Sequence, residues 1–363
     1  MSDAFKQFLN GELEAIETAG LLRTLRRMES PQQVEVNAGG RALINFSSND
    51  YLGFAAHESL KEAAQSGVET LGAGAGSARL ISGSQSIIHE LEASLAAFKQ
   101  TEAALCFSSG YAAALGTVPA LVGQGDVVIV DKLVHASLVD AARLSGAKLR
   151  VFKHNDLADL ERLLQWANEK KGNTLVITES VFSMDGDLAP VRDLVQLKNR
   201  YGAWLMLDEA HATGLYGEGR RGVAEEMGVA DRVEVQLGTL GKALGAAGGY
   251  ICGSQALIDL LVNRARSFIF STAPVPAQSA AAKRGVELVQ SDEGGAMRTR
   301  LWANVDALKN GMIRQGWKLP VVRSAILPLM IGDERNALGL AQRLREAGIW
   351  VPAVRYPTVA RGE

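Results

Sequence analysis

The sequence predicts an α/β protein built on a mainly parallel sheet, with a second, smaller α+β domain. Three observations predict it. Between residues 103 and 252, short apolar runs alternate with stretches whose apolar residues recur at helical spacing; this is the pattern of strands joined by helices lying on both faces of one sheet. The 38 glycines suit the tight strand–helix turns of such a fold. After Ser271 the pattern changes to long helical stretches and then to a strand–helix–strand pattern.

Taken in order, residues 3–28 read as an amphipathic helix with Phe5, Phe8, Leu9, Leu13 and Ile16 on one face, ending in Arg23, Arg26 and Arg27. Residues 33–45 read as a hairpin turning at Gly39 and Gly40. Residues 46–53 combine turn chemistry with aromatics, and 57–71 are helical. The glycine-rich run 72–83 does not bind a dinucleotide: no strand precedes it, and no acidic residue closes a second strand at the required distance. It reads as a flexible wall of a site. Residues 84–99 form an amphipathic helix.

Strands are expected at 103–107, 126–130, 148–152, 174–178, 204–207, 232–236 and 247–252. Residues 108–111 open a helix with small side chains, leaving free amides suited to a phosphate. A helix is expected from 157 to 166, and Pro190 opens another. Beyond Ser271, a long helix over 276–317 breaks near Gly294 and Gly295; a strand at 321–331, a helix at 334–347 and a strand at 349–354 follow.

Composition narrows the function. With 47% hydrophobic and 21% charged residues, the chain of 363 can bury a large core. Thirty-eight basic against forty acidic residues, a net charge of −2, give no basic surface for nucleic acid or anionic lipid. Cys106 and Cys252 lie in apolar runs and read as reduced core residues of a cytoplasmic protein. The five histidines lack metal-ligand spacing, so no metal is expected. The acidic, amphipathic N-terminus is not a signal peptide, and no apolar run is long enough to cross a membrane.

The chemistry centres on residues 235–253, where Lys242 is the only charged residue between Glu234 and Asp259. An ammonium in so apolar a setting is costly; desolvation lowers its pKa and makes it a nucleophile able to form a Schiff base. The segment is no P-loop, because Gln236 stands where that motif needs glycine and Ala243 where it needs Ser or Thr. Upstream, the apolar run 204–207 ends in Asp208, Glu209 and His211. A carboxylate at a strand's carboxyl end and a later isolated lysine are what pyridoxal phosphate chemistry needs. Asp131, His135, Glu179, Ser183, Asp208 and His211 all follow predicted strands, which argues for one shared cleft.

These runs have a family likeness. Residues 46–53, 77–84, 135–147, 179–190, 208–222, 237–249, 266–276 and 356–359 resemble motifs of the α-oxoamine synthase family of pyridoxal phosphate enzymes, and the resemblance extends from residue 3 to the end of the chain. It implies PLP-dependent fold type I, with a seven-stranded, mainly parallel sheet in a large domain over 46–275. Residues 1–45, an N-terminal helix and hairpin, would join a C-terminal small domain over 276–363. It also implies a homodimer with active sites at the interface. By the same likeness Lys242 carries the cofactor, Asp208 pairs with its ring nitrogen, His211 bonds its hydroxyl and His135 stacks on its ring. Gly110, Tyr111, Ser183 and Thr239 complete the cofactor contacts. Ser271 and Thr272 reach the phosphate of the neighbouring subunit, and Arg26 and Thr358 contact substrate, as His135 also does. The implied reaction is decarboxylative condensation of an amino acid, L-alanine in the branch most resembled, with pimeloyl-CoA or its carrier-protein form. The glycine C-acetyltransferase branch is the alternative, and an aminotransferase or a non-catalytic protein of the same fold the remote ones. In the family a carboxylate-binding arginine follows the run resembling 356–359; the sequence stops at Glu363, so the small domain is expected to lack its last strand and to handle amino acids poorly.

Overall fold

In a computed structural model that describes residues 2–319 and 323–362, the chain opens with helix α1 (Asp3–Thr18). Ser2 caps it by accepting from the Phe5 N–H. It ends where Gly20 turns to a φ of 70°, so the arginines at 23, 26 and 27 lie beyond it, unlike the helix expected to residue 28. Strands β1 (Glu35–Ala38) and β2 (Arg41–Asn45) form the expected hairpin. Gly39 and Gly40 both take positive φ, which its two-residue turn requires.

Helix α2 (Glu58–Leu71), a π-type turn at Arg79–Gly83 and helix α3 (Ser86–Lys99) lead to β3 (Ala103–Phe107) and α4 (Gly110–Leu121). Alternation continues through β4 (Val127–Asp131), α5 (Ala136–Leu144), β5 (Lys148–Phe152), α6 (Leu157–Asn168), β6 (Thr174–Glu179), α7 (Val191–Arg200) and β7 (Trp204–Asp208). The short α8 (Val223–Glu226) precedes β8 (Val235–Thr239) and β9 (Gly249–Gly253). Helices α9 (Gln255–Arg264), α10 (Arg266–Ile269), α11 (Pro276–Gln290) and α12 (Asp292–Arg314) come next, then α13 (Glu334–Glu346) and the two-residue β10 (Ile349–Trp350).

The large sheet has seven strands in the order β3-β9-β8-β7-β6-β4-β5. From β8 to β5 every pairing is parallel, and β9 runs antiparallel to both β3 and β8. Its central strands are buried along their length, which is why they read as unbroken apolar runs and not as alternating ones. The smaller sheet is β1-β2-β10, with β10 parallel to β2.

The chain divides into two units, Asn49–Leu327 and Met1–Ser48 with Pro328–Glu363. The division therefore falls after helices α11 and α12, not at residue 276. The reason is packing. The Pro276 carbonyl lies 3.0 Å from where a Cβ on Gly67 of α2 would sit, and the Leu244 carbonyl 2.1 Å from the corresponding point on Gly285. Helix α11 is thus locked into the core of the larger unit through two glycines. Ser291, which caps α12 by accepting from Gly294 N–H, makes the break expected three residues later. Of the strand expected at 321–331, Val321 and Val322 lie outside the described residues, and 323–331 form no strand. The last expected strand, at 349–354, is only Ile349–Trp350.

Within the smaller unit the two ends of the chain are tied together. Arg23 donates to the Tyr356 carbonyl, Arg355 to the Gly20 carbonyl, and Arg26 lies 6.0 Å from the Trp350 ring centre. In the larger unit, Arg79 forms a bidentate, buried pair with Glu92 at 2.8 and 2.9 Å, which pins the π-type turn to α3.

Candidate active site

Strands β6 and β7 deliver their last residues side by side, next to β8. Glu179 and Asp208 are partners in register at the ends of β6 and β7, and Leu237 of β8 pairs with Asp208. Both carboxylates are buried. Burial and the Asp208 charge push Glu179 up to about 8, against the opposing pull of hydrogen bonds from His135 and Ser183. Burial likewise raises Asp208, opposed chiefly by Lys242. The Asp208 Oδ1 accepts from the Ala210 N–H at 2.8 Å.

Lys242 lies in the turn after β8, where its carbonyl accepts from the Gly245 N–H. Its Nζ is 2.6 Å from His211 Nε2, and the Tyr51 hydroxyl is 2.6 Å from His211 Nδ1. Burial lowers the Lys242 pKa, while Asp208 and Glu179 oppose the shift. Burial, with Lys242 and His135, lowers His211 to about 2, so its ring is neutral. The neutral ring carries one proton, and the charge on Lys242 decides where. Facing an ammonium, Nε2 accepts and Nδ1–H donates to Tyr51; facing a neutral amine, Nε2–H can donate to it and Tyr51 donates to Nδ1.

His135 is the N-cap of α5, and its Nδ1 accepts from the Ser137 N–H at 3.3 Å. A neutral ring held so carries its proton on Nε2. The residue is exposed, which leaves the ring open to a ligand. Partial desolvation lowers its pKa, and the charge on Asp208 opposes this.

Helix α4 supplies the other end of the site. Ser109 caps it by accepting from the Ala112 N–H, and the N–H groups of Gly110 and Tyr111 in its first turn have no intrahelical partner. Gly249 of β9 lets that turn sit close: a Cβ there would stand 2.5 Å from the Gly110 nitrogen. Thr239, at the end of β8, lies beside Gly110, its Oγ1 donating to the Gly248 carbonyl and accepting from the Gly241 N–H. A buried carboxylate that needs a cation, a desolvated amine and a helix N-terminus that needs an anion are the complements of a pyridoxal phosphate's ring nitrogen, aldehyde and phosphate. The residues fit that group.

Of the residues singled out in the sequence, the structure brings Lys242, Asp208, His211 and His135 into one electrostatic cluster, with Ser183 joined to it through Glu179. Gly110 and Thr239 form their own neighbourhood, and the Tyr111 hydroxyl donates outward to Asp140. Asp131 is engaged elsewhere: its oxygens bind His154 and the Leu133 and Asn155 N–H groups. Ser271 and Thr272 follow α10, where Thr272 bridges to Ala78 beside the π-type turn. Arg26 and Thr358 belong to the smaller unit. Two contributors escaped the sequence reading of roles: Tyr51, inside a run that shows only turn chemistry, and Glu179, whose partners are backbone groups. Among the described residues, no group of His, Cys, Asp and Glu could hold a metal ion.

A family model for class I and II aminotransferases matches residues 41–363. The chain is 47% identical to an 8-amino-7-oxononanoate synthase of Geobacter sulfurreducens over 97% of its length and 90% of that protein's. Among solved structures, it is similar to SPT with the PLP internal aldimine (TM-score 0.93, 29% identity, 99% of this chain and 92% of that one). It is also similar to the 8-amino-7-oxononanoate synthase of Francisella tularensis (TM-score 0.74, 28% identity, 87% and 89%).

Proposed function

The chain belongs to the class I and II aminotransferase family and, within it, to the α-oxoamine synthases, and from that premise we propose that it condenses L-alanine with a pimeloyl thioester on pyridoxal phosphate. Carbon dioxide and the thiol leave, and 8-amino-7-oxononanoate, a biotin precursor, forms. The observation that carries the reading is a desolvated Lys242 amine 2.6 Å from Nε2 of neutral His211 and in the field of the buried Asp208, in the segments that follow β8 and β7.

When bound, pyridoxal phosphate supplies the electron sink for a carbanion at the amino acid's α-carbon and for the loss of carbon dioxide. The chain's own groups do the rest. Lys242 Nζ would hold the aldehyde and, when free, would take the α-proton, for which an amine with a lowered pKa is suited. Tyr51 and His211 stand behind it as a hydrogen-bonded pair that orients the amine. Asp208 would keep a proton at the ring nitrogen, and Ser183 would bond the ring hydroxyl together with His211, whose Nε2 is released when Lys242 moves to the aldehyde. The Gly110 and Tyr111 amides, with Thr239, would bind the phosphate. His135 would stack on the ring and offer Nε2–H as a donor to substrate.

We also assign a homodimer, in which Ser271 and Thr272 complete the partner's phosphate site. Ile81 and Phe270, on the two segments joined at the Ala78–Thr272 bridge, are 82% and 70% exposed, large apolar side chains that a second copy would cover. Among the described residues no helix is long and apolar enough to cross a membrane, and two buried free cysteines accord with a cytoplasmic enzyme.

The test is a panel of acetyl, pimeloyl and palmitoyl thioesters, as coenzyme A and carrier-protein forms, against alanine, glycine and serine. Thiol release and product mass are followed. The pair of alanine with a pimeloyl thioester should lead in kcat/KM by at least about tenfold. Preference for glycine with acetyl-CoA, or a keto acid formed without thiol release, would contradict the reading.

A further inference from the structure

Two loops carry residues that this reading sets against the cofactor. The segment between β4 and α5 delivers His135, and the one between β6 and α7 delivers Ser183. One side chain is bonded to both. Glu179 Oε1 accepts from the His135 backbone N–H at 2.5 Å, and Oε2 accepts from the Ser183 backbone N–H at 3.1 Å. We propose that Glu179 is a positioning residue: by holding the backbone under His135 and Ser183 together, it sets how the His135 imidazole lies over the cofactor ring. The inference rests on the reading of the site given above.

Three features carry it. First, the His135 ring is locked to its own helix by the Ser137 N–H and hydroxyl, at 3.3 and 2.7 Å, so ring and first turn of α5 move as one piece. The His135 N–H bond to Glu179 then fixes that piece against the end of β6. Second, two N–H donors converging on one side chain need an acceptor at each terminal atom. A carboxyl group, ionised or protonated, keeps an acceptor lone pair on each oxygen, whereas a carboxamide offers one acceptor and turns an NH2 toward the other donor. Third, the arrangement is electrostatically costly. Glu179 is buried in register with Asp208, so two carboxylates stand side by side at the ends of neighbouring strands.

The loops also have an independent tie. His154 bonds Asp131, at the start of one loop, and Asp187, in the other, at 2.9 and 2.8 Å. Replacing Glu179 therefore leaves them attached at their outer ends, and the effect should fall on the inner ends where His135 and Ser183 sit.

The experiment uses the whole protein, with and without pyridoxal phosphate. In the cofactor-free wild type, the His135 and Ser183 amides should be protected from hydrogen exchange although both lie outside strands; unprotected amides would overturn the proposal. In Glu179→Gln, at least one of them should exchange about tenfold or more faster while core strands keep their protection. With cofactor bound, the variant should show a weakened induced circular dichroism band and a kcat lowered more than the KM for L-alanine is raised. Those losses should be largely absent when Glu179→Gln is added to a His135→Ala background, because both changes act on the same ring. Unchanged exchange and dichroism in a folded variant, or fully additive losses, would overturn it. Where Glu179→Gln does not fold, Glu179→Asp, whose stem is one methylene too short to reach both amides at once, is read the same way. A wild type that binds no pyridoxal phosphate would instead remove the reading of the site, and the exchange result in the cofactor-free protein stands apart from that.

Discussion

His154 shows how one residue fixes a working loop. Burial disfavours its cation, but hydrogen bonds to Asp131 and Asp187 and the charges of both acids outweigh that, raising its pKa from 6.5 to about 10. A histidine raised in the folded state gives stability that is complete below the unfolded value near 6.5 and is lost as pH rises through about 10. His154→Gln should therefore be less stable than the wild type at pH near 6, and the gap in urea unfolding free energy should close toward pH 10. A gap that stays constant would show that the ring acts by packing against Phe182, 4.4 Å away, and not by charge. At this scale legibility depended on contrast. Lys242 and Asp208 stand out because a charge interrupts apolar sequence, and His135 and His211 follow strands. Nothing in the sequence marks Glu179 as a brace or Tyr51 as a partner of His211, since their partners come from distant segments through backbone amides and a shared histidine.

At the scale of elements, the start of α4 depends on a residue in another strand. A Cβ at Gly249 would meet the Ser109 carbonyl group and the Gly110 nitrogen, all at 2.5 Å, and neither backbone can yield without shifting the helix N-terminus. Gly249→Ala should cost about 1–3 kcal/mol in stability through overpacking. Its affinity for pyridoxal phosphate should also fall, measured by fluorescence titration, while a control of equal instability elsewhere in the core leaves affinity unchanged. Equal affinities in the two variants would remove α4 from the phosphate site. The strands of the large sheet were legible to within a few residues because they are buried apolar runs bounded by turns. Helix α1 was overextended because Leu21, Leu22 and Leu25 prolong the apolar pattern past Gly20, whose positive φ ends the helix regardless. The helices after Ser271 looked like a new domain because their spacing changes; their place in the larger unit depends on close approaches at Gly67 and Gly285 that periodicity does not carry.

For the whole molecule, the larger unit holds the cluster around Lys242, and the smaller unit gathers both ends of the chain. The exposed Ile81 and Phe270 side chains give the proposed dimer its test. Ile81→Asp should shift sedimentation toward monomer and lower cofactor affinity together, whereas a monomer with full activity would refute shared sites. Whether the desolvated amine after β8 carries the cofactor is decided by reducing the protein loaded with pyridoxal phosphate with borohydride and mapping its peptides by mass spectrometry. The pyridoxyl phosphate mass should appear on Lys242 alone and be absent from Lys242→Ala. Label on another lysine, or none on Lys242, would contradict that assignment.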